Sequence, residues 1–215
     1  MIERVLGASS ALLLYDHDGG VWLGTAIALR LGDRHLLATA AHNVKSIKYL
    51  RLVPRGCYRG DPLHPVRIGI GAEDTAWIEV CPRDAAGRID FLEPSDLAVE
   101  TPAERSHLLV HGFPAHGIAP ELIRGTRFQL SGLQARGFAG APEREGELLW
   151  IWGEAGSPVF HPTGLSGGGI WRRRNDGSYA LVGLVRAWHR PSRCLLGIPI
   201  ERWLQIYARE HAERS

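Results

Sequence analysis

Short runs of apolar residues, separated by residues that favour turns, follow one another along almost the whole chain. The first two runs cover residues 9–15 and 21–30, and the tight-turn sequence Asp18-Gly19-Gly20 lies between them. The later runs cover residues 35–39, 47–53, 67–70, 75–80, 97–100, 108–112, 126–130, 148–152, 169–173, 179–187 and 194–198. So many short strands at nearly regular spacing predict an all-β barrel or sandwich rather than alternating strands and helices.

One helix is expected, at the end of the chain. Four apolar residues recur there at helical spacing with charged residues on the other face: Ile200, Trp203, Leu204 and Tyr207. Pro199 suits the first turn of such a helix. The predicted organisation is a single domain, 1–215, with a first half (1–103), a second half (104–198) and a C-terminal helix (199–213).

Composition and charge argue against several classes of protein. The hydrophobic content of 45% and the charged content of 22% are ordinary for a globular protein, and a net charge of +2 does not indicate nucleic acid binding. The cluster Arg172-Arg173-Arg174 precedes a turn sequence, which favours a solvated hairpin edge over a phosphate site. The apolar run 8–15 is too short for a membrane span and lacks the basic region of a signal peptide. We therefore expect a cytoplasmic protein with no nucleic acid or membrane partner.

The cysteines indicate neither a metal site nor a disulfide framework. Cys57, Cys81 and Cys194 are odd in number, widely spaced and free of any Cys-x-x-Cys pair. The histidines show no metal-ligand spacing either. We expect no metal and no cofactor, and an activity that needs no cysteine.

Three separated segments each contain one side chain suited to acyl transfer. His42 follows an apolar run that ends in small residues, Asp96 precedes the apolar run 97–99, and Ser166 lies among glycines. A serine hydroxyl becomes a strong nucleophile when an imidazole takes its proton, and a carboxylate on the other ring nitrogen fixes the tautomer. The glycines let two backbone N–H groups, which we assign to Gly164 and Ser166, converge on a developing oxyanion.

These segments resemble the motifs of the trypsin-like (chymotrypsin-fold) serine peptidases. The matching sequences, in the family's order, are Thr39-Ala40-Ala41-His42, Asp96-Leu97-Ala98-Val99 and Gly164-Leu165-Ser166-Gly167-Gly168. The resemblance extends from Gly24-Thr25-Ala26 to the C-terminal helix. It implies two antiparallel six-stranded β-barrels with the triad His42, Asp96 and Ser166 in the cleft between them. It also implies hydrolysis of peptide bonds through an acyl-enzyme intermediate.

The resemblance further implies a specificity pocket and the kinds of partner. Phe160 would lie at the base of the pocket, and Arg186, Ala187 and Trp188 would line its wall. A pocket whose floor carries no carboxylate favours a small or medium apolar residue before the scissile bond. Arg186 could instead recruit an acidic residue. The substrate would be a protein or peptide, with one dedicated target and a regulatory partner protein.

Two departures bring the sequence closer to intracellular, HtrA-like members than to digestive ones. Leu165 stands where digestive members have an aspartate that pairs with a freed N-terminal amine, and the disulfides of extracellular members are missing. We therefore expect no activation by N-terminal cleavage. Packing of Leu165, substrate or a partner protein would order the loop 160–169, and we favour the last two.

Three alternatives fit parts of the sequence. The pattern Gly164-x-Ser166-x-Gly168 also matches the nucleophile elbow of an α/β-hydrolase esterase, but the glycines oppose the helix that must follow. A catalytically silent barrel could act as a protein-binding module, although all three residue types are present. Asp90 competes with Asp96 as the acid, and its other interpretation is a turn residue.

Overall fold

The computed structural model describes residues 2–15, 21–45, 49–54, 57–59, 65–113, 127–129, 133–140, 148–153 and 164–212. These residues form mainly β-strands, as the short apolar runs predict. In chain order the elements are α1 (Ile2–Ala8), β1 (Ser9–Tyr15), β2 (Val21–Leu31), β3 (Arg34–Ala40), β4 (Tyr49–Pro54), β5 (Cys57–Arg59), β6 (Pro65–Ile70), β7 (Thr75–Val80), α2 (Pro82–Ala85), β8 (His107–Gly112), β9 (Arg127–Gln129), β10 (Leu133–Ala139), β11 (Leu149–Gly153), β12 (Gly169–Arg173), β13 (Tyr179–His189), β14 (Cys194–Pro199) and α3 (Ile200–Ala212).

The first half of the chain forms an antiparallel sheet of six strands, in the order β4-β1-β2-β3-β7-β6. One of its faces covers a core that includes Leu12, Leu37, Leu52 and Ile78, all fully buried. Within the described residues β4 and β6 are not paired with each other, so the sheet remains open. The prediction of two closed barrels is therefore not confirmed for this half.

The second half closes into a six-stranded antiparallel barrel, in the order β10-β11-β14-β13-β12-β8. Two irregularities, at Ile170/Trp171 and at Val185/Ala187, interrupt the pairing of β13 with its neighbours. Such bulges increase the local twist of a strand, which helps a sheet to close. Apolar side chains fill the interior of the barrel, as expected for eight or fewer strands. The prediction of a six-stranded barrel is confirmed here.

The predicted C-terminal helix is confirmed as α3, and it joins the two halves. The Trp203 and Tyr207 rings stack with centroids 5.5 Å apart, and Tyr207 also meets Trp77 of the first sheet edge-on at 5.1 Å. Trp203 and Trp171 of the barrel are both buried in this same core. Aromatic side chains of this size bury large areas, so α3 contributes strongly to the contact between the halves.

The secondary structure differs from the sequence prediction in several places. The short elements α2 and β5 and the barrel strand β10 were not predicted. Helix α1 precedes β1, although its seven residues carry too few repeats for a helical pattern to be recognised. The predicted strand 97–100 is wrong. Leu97 makes only an isolated bridge with Leu181, and Val99 is 51% exposed. The run is apolar, yet no neighbouring strand continues along it in the described part of the chain.

A buried histidine connects the N-terminal segment with the barrel. His111 of β8 is 1% exposed, and its Nδ1 lies 2.8 Å from Ser9 Oγ. The Ser9 hydroxyl already donates to Val5 O, so it accepts a hydrogen bond from the protonated Nδ1 of His111. Burial lowers the pKa of His111 to about 4, which keeps the ring neutral at physiological pH.

We predict that this histidine makes the protein less stable in mild acid. Below its ordinary pKa of about 6.5, His111 takes up a proton in the unfolded chain but not in the folded one. The free energy of unfolding should therefore fall as the pH decreases from about 6.5 to about 4, by a total on the order of 3 kcal/mol.

The measurement is denaturant unfolding across this pH range, on the wild type and on His111→Asn. Asparagine keeps a donor for Ser9 and does not titrate, so its curve should be flatter over the same interval. Equal slopes for the two proteins would contradict the prediction.

Candidate active site

His42 lies at the end of β3, where the chain turns from the strand into a single 3-10 turn, Ala41–Asn43. The small residues Thr39, Ala40 and Ala41 are buried and bring the backbone close to the next strand. In the pairing of β3 with β7, Ala40 stands opposite Thr75. This register places the residue before Thr75, which is Asp74, beside the 3-10 turn that carries His42.

Asp74 holds His42 through both carboxylate oxygens. His42 Nδ1 lies 2.7 Å from Asp74 Oδ2, and the backbone N–H of His42 donates to Asp74 Oδ1 at 2.8 Å. A carboxylate can only accept, so Nδ1 carries the proton and a neutral ring has its lone pair on Nε2. Burial alone would raise the pKa of Asp74, but the hydrogen bonds from His42 outweigh it and hold the pKa below its usual value. The ring is thus fixed in the tautomer that a general base requires.

The turn that carries Asp74 is held in an unusual backbone conformation. Glu73 and Asp74 have φ angles of 55° and 62°, in the left-handed region that non-glycine residues rarely adopt. The Asp74 carbonyl accepts the Ala41 N–H at 2.8 Å. On the other side, Arg202 of α3 binds the Glu73 carboxylate, with Nε 3.0 and 3.2 Å from its two oxygens. Contacts on both sides therefore offset the local strain.

The predicted pairing of His42 with Asp96 is corrected by this geometry. The Asp96 carboxylate pairs with Arg4 of α1 and accepts the backbone N–H of Glu93 at 2.8 Å, which caps the 3-10 turn Pro94–Asp96. Asp90, the alternative acid, lies beside α1, where its backbone N–H donates to Gly7 O. Neither carboxylate contacts the His42 ring. The sequence contained the right signal in 74–80, an aspartate followed directly by an apolar strand.

Ser166 lies next to the segment that carries His42. The Ser166 carbonyl accepts two hydrogen bonds from the first half of the chain, from the Thr25 N–H at 3.0 Å and from Asn43 Nδ2 at 2.8 Å. Asn43 directly follows His42, so the serine loop is attached to the segment that carries the histidine. The Ser166 side chain is half-buried, whereas that of His42 is half exposed.

Leu165 anchors the serine loop in the barrel. Its side chain is fully buried in the core of the second half, among residues such as Val110 and Ile170. The sequence analysis considered three ways to order this loop. One of them, the packing of Leu165 in the apolar core, is seen in the structure. A leucine there leaves no partner for a buried ammonium group.

The residues expected to form an oxyanion hole lie at the start of this loop. Gly164 has a φ of 91°, and its carbonyl accepts a hydrogen bond from Thr25 Oγ1 at 2.8 Å. Within the described residues, neither the Gly164 N–H nor the Ser166 N–H donates to a backbone carbonyl, whereas the N–H groups of Gly167 and Gly168 do. These two amides therefore take no part in the described backbone hydrogen bonds that hold Gly167 and Gly168.

The predicted wall of the pocket runs beside the serine loop. Gly167 N–H donates to Val185 O, and Val185 N–H donates to Gly168 O, both at 2.7 Å. Arg186 follows at the bulge in β13 and is half-buried, and its positive charge helps to lower the pKa of Asp74. Ala187 is exposed, and Trp188 packs against the core of the barrel. Phe160, the predicted base of the pocket, lies outside the described residues.

Comparison with solved structures identifies the fold. The serine endoprotease from Yersinia pestis superposes with a TM-score of 0.69 at 14% identity, over 97% of this chain and 64% of that one. The HtrA-type protease AlgW gives 0.68 at 16% identity, over 96% and 61% of the two chains. A thermostable serine protease, AL20, gives 0.64 at 14% identity, over 93% and 94%. The chain has the chymotrypsin fold.

This chain spans less than two thirds of the length of the Yersinia pestis endoprotease and of AlgW. No family model and no curated protein sequence matches it. In the described parts of the chain, none of the helices has the length and apolar character needed to cross a membrane.

We predict that Gly167 tolerates no side chain. Its φ is 83°, and a Cβ atom there would lie 2.0 Å from the Thr25 carbonyl oxygen and 2.4 Å from Thr39 Oγ1. Gly167→Ala should lower the free energy of unfolding by about 2–5 kcal/mol, from left-handed strain and overpacking together. Gly32→Ala is the matched control, because Gly32 has a φ of 60° and no atom within 4 Å of the added Cβ.

Denaturant unfolding of both variants measures the difference. The control should lose only the strain component, about 1–2 kcal/mol. Similar losses for the two variants would show that the close approach to Thr25 is unimportant.

Proposed function

We propose that this protein is a serine endopeptidase in which Ser166 is the nucleophile, His42 the general base and Asp74 the acid that orients it. The observation that carries the proposal is that an oriented histidine and a serine in a glycine-rich loop lie close together where the two halves of the chain meet. The fold supports it, since the similar structures named above are described as proteases.

The first chemical step follows from the tautomer of His42. With Nδ1–H donated to Asp74, the Nε2 lone pair can take the proton of the Ser166 hydroxyl as the oxygen attacks the scissile carbonyl. The Asp74 carboxylate remains ionised, because its pKa is below its usual value, and it stabilises the imidazolium that forms. The imidazolium then gives its proton to the leaving amine, and water repeats the sequence on the acyl-enzyme.

The Gly164 and Ser166 amides would stabilise the oxyanion. As negative charge develops on the carbonyl oxygen, two fixed N–H donors bind it without reorganisation. Thr25 helps to fix them, because its hydroxyl binds the Gly164 carbonyl and its N–H binds the Ser166 carbonyl. The substrate would be a protein or peptide, and a dedicated target and a regulatory partner remain part of the proposal.

We predict that each residue assigned to the triad is essential. Ser166→Ala and His42→Ala should each lower turnover by about 10⁴–10⁶-fold, and the two losses should not add. The measurement is hydrolysis of a diverse peptide library, together with labelling of Ser166 by a fluorophosphonate probe. Binding of peptides without hydrolysis or labelling would instead support a protein-binding module.

The two aspartates provide the sharper test of the assignment. Asp74→Asn should lower turnover by about 10⁴-fold with the fold intact, because the amide favours the wrong tautomer of His42. Asp96→Asn, the matched control, should leave turnover unchanged and affect only the contact with Arg4. If the control is the more damaging of the two, the assignment of Asp74 is wrong.

We predict that cleavage follows small or medium apolar residues and disfavours lysine and arginine. The positive charge of Arg186 beside the serine loop would repel a basic side chain of the substrate. None of the residues 186–188 carries a carboxylate that could neutralise such a side chain. Profiling with the same library measures the preference, and Arg186→Gln should weaken the discrimination against basic residues. A profile dominated by lysine and arginine would refute the prediction.

A further inference from the structure

A buried asparagine directly follows the general base, and its amide group makes hydrogen bonds to the serine loop and to β3. Asn43 is 3% exposed and lies at the end of the 3-10 turn that carries His42. The chain leaves room for it at Gly24, where a Cβ atom would lie 2.7 Å from Asn43 Cγ. A buried amide is costly unless its hydrogen bonds are made, so its partners show what it does.

Both hydrogens of the Asn43 amide group are used, and one binds the nucleophile residue. Nδ2 donates to Ser166 O at 2.8 Å and to Thr39 Oγ1 at 3.0 Å. Thr39 Oγ1 donates in turn to Thr25 O at 2.6 Å, and the Thr25 N–H donates to Ser166 O at 3.0 Å. The bonds form a closed ring, and both lone pairs of the Ser166 carbonyl are occupied.

The ring fixes one peptide plane from both ends. The carbonyl of the peptide between Ser166 and Gly167 is held by Asn43 and Thr25, and its N–H donates to Val185 O at 2.7 Å. The orientation of this plane sets where the Cα–Cβ bond of Ser166 points. A misplacement of about 1 Å at a reacting atom can cost about 100-fold in rate.

We propose that Asn43 is a positioning residue, which holds the Ser166 peptide at a fixed distance and orientation from His42. The inference rests on the proposed peptidase function. Because Asn43 adjoins the base and binds the nucleophile's own carbonyl, one short path through three residues connects the two reacting groups. The first half of the chain supplies the base, and through Asn43 it also orients the nucleophile supplied by the second half.

The variant that tests the proposal is Asn43→Leu, which keeps the volume of the side chain and removes the donor. Its turnover number should fall by about 10–100-fold, while KM changes little, because a displaced hydroxyl affects the transition state rather than ground-state binding. Labelling of Ser166 by a fluorophosphonate should slow by a similar factor. Asn43→Ala is the second variant, to be used if leucine prevents folding.

The control is Ser9→Ala, which removes a buried hydroxyl whose hydrogen bonds go to Val5 and His111 and not to the serine loop. Ser9 Oγ bonds to Val5 O and His111, so its loss should lower stability as a lost buried hydrogen bond does. Both proteins should unfold more easily, but only the Asn43 variants should lose turnover. If both lose stability and neither loses turnover, Asn43 is merely structural and the proposal is overturned.

A measurement that needs no activity separates this inference from the proposed function. Hydrogen exchange of the Gly167 amide, followed by NMR, should be about tenfold faster in the Asn43 variants than in Ser9→Ala, since the peptide plane loses one of its ties. Unchanged exchange would refute the positioning role even in an active enzyme. Faster exchange in a protein whose wild type neither hydrolyses peptides nor reacts with the probe would refute the peptidase and leave the positioning role standing.

Discussion

The carbonyl group of Ser166 is the point on which the arrangement of the site depends. It belongs to the second half of the chain, yet both of its hydrogen bonds come from the first half, from Thr25 and Asn43. A third bond joins the same two halves, from Thr25 Oγ1 to the Gly164 carbonyl, and the Phe113 N–H donates to that hydroxyl. These groups are buried, so leaving any of them unpaired would be costly. That cost confines the two halves to one relative position, in which the serine loop meets the histidine segment.

The position of Asp74 beside His42 follows from strand register rather than from the loop sequence around it. Ala40 stands opposite Thr75 in the ladder between β3 and β7, so the residues just beyond each end, Ala41 and Asp74, are neighbours. A shift by one residue would turn the apolar side chains of β7 to the wrong face, and the buried core opposes it. The backbone of the first sheet thus fixes the tautomer of His42 through Asp74.

The sequence was sufficient for most of the strands and for the C-terminal helix, but not for the carboxylate that binds His42. Two aspartates precede apolar runs, at 74 and at 96, and the local pattern is the same. What separates them is long-range pairing: 75–80 forms a ladder with β3, whereas 97–100 makes only an isolated bridge to β13 in the described part of the chain. Asn43 was also missed, because a single buried amide has no periodic signal and its partner lies 123 positions away.

Leu165 shows how a loop of this kind can be ordered without an ion pair. A buried ion pair incurs a desolvation cost of several kcal/mol for each charge, which its attraction must offset. A buried leucine incurs no such cost, and its transfer from water contributes about 1.5–3 kcal/mol directly. Leu165 is fully buried in the barrel core, and the Gly168 N–H donates to its carbonyl at 2.7 Å. This packing needs no freed amine, and it attaches the described part of the loop to the barrel core. The hydrogen bonds to the Ser166 carbonyl then align this loop with the segment that carries His42.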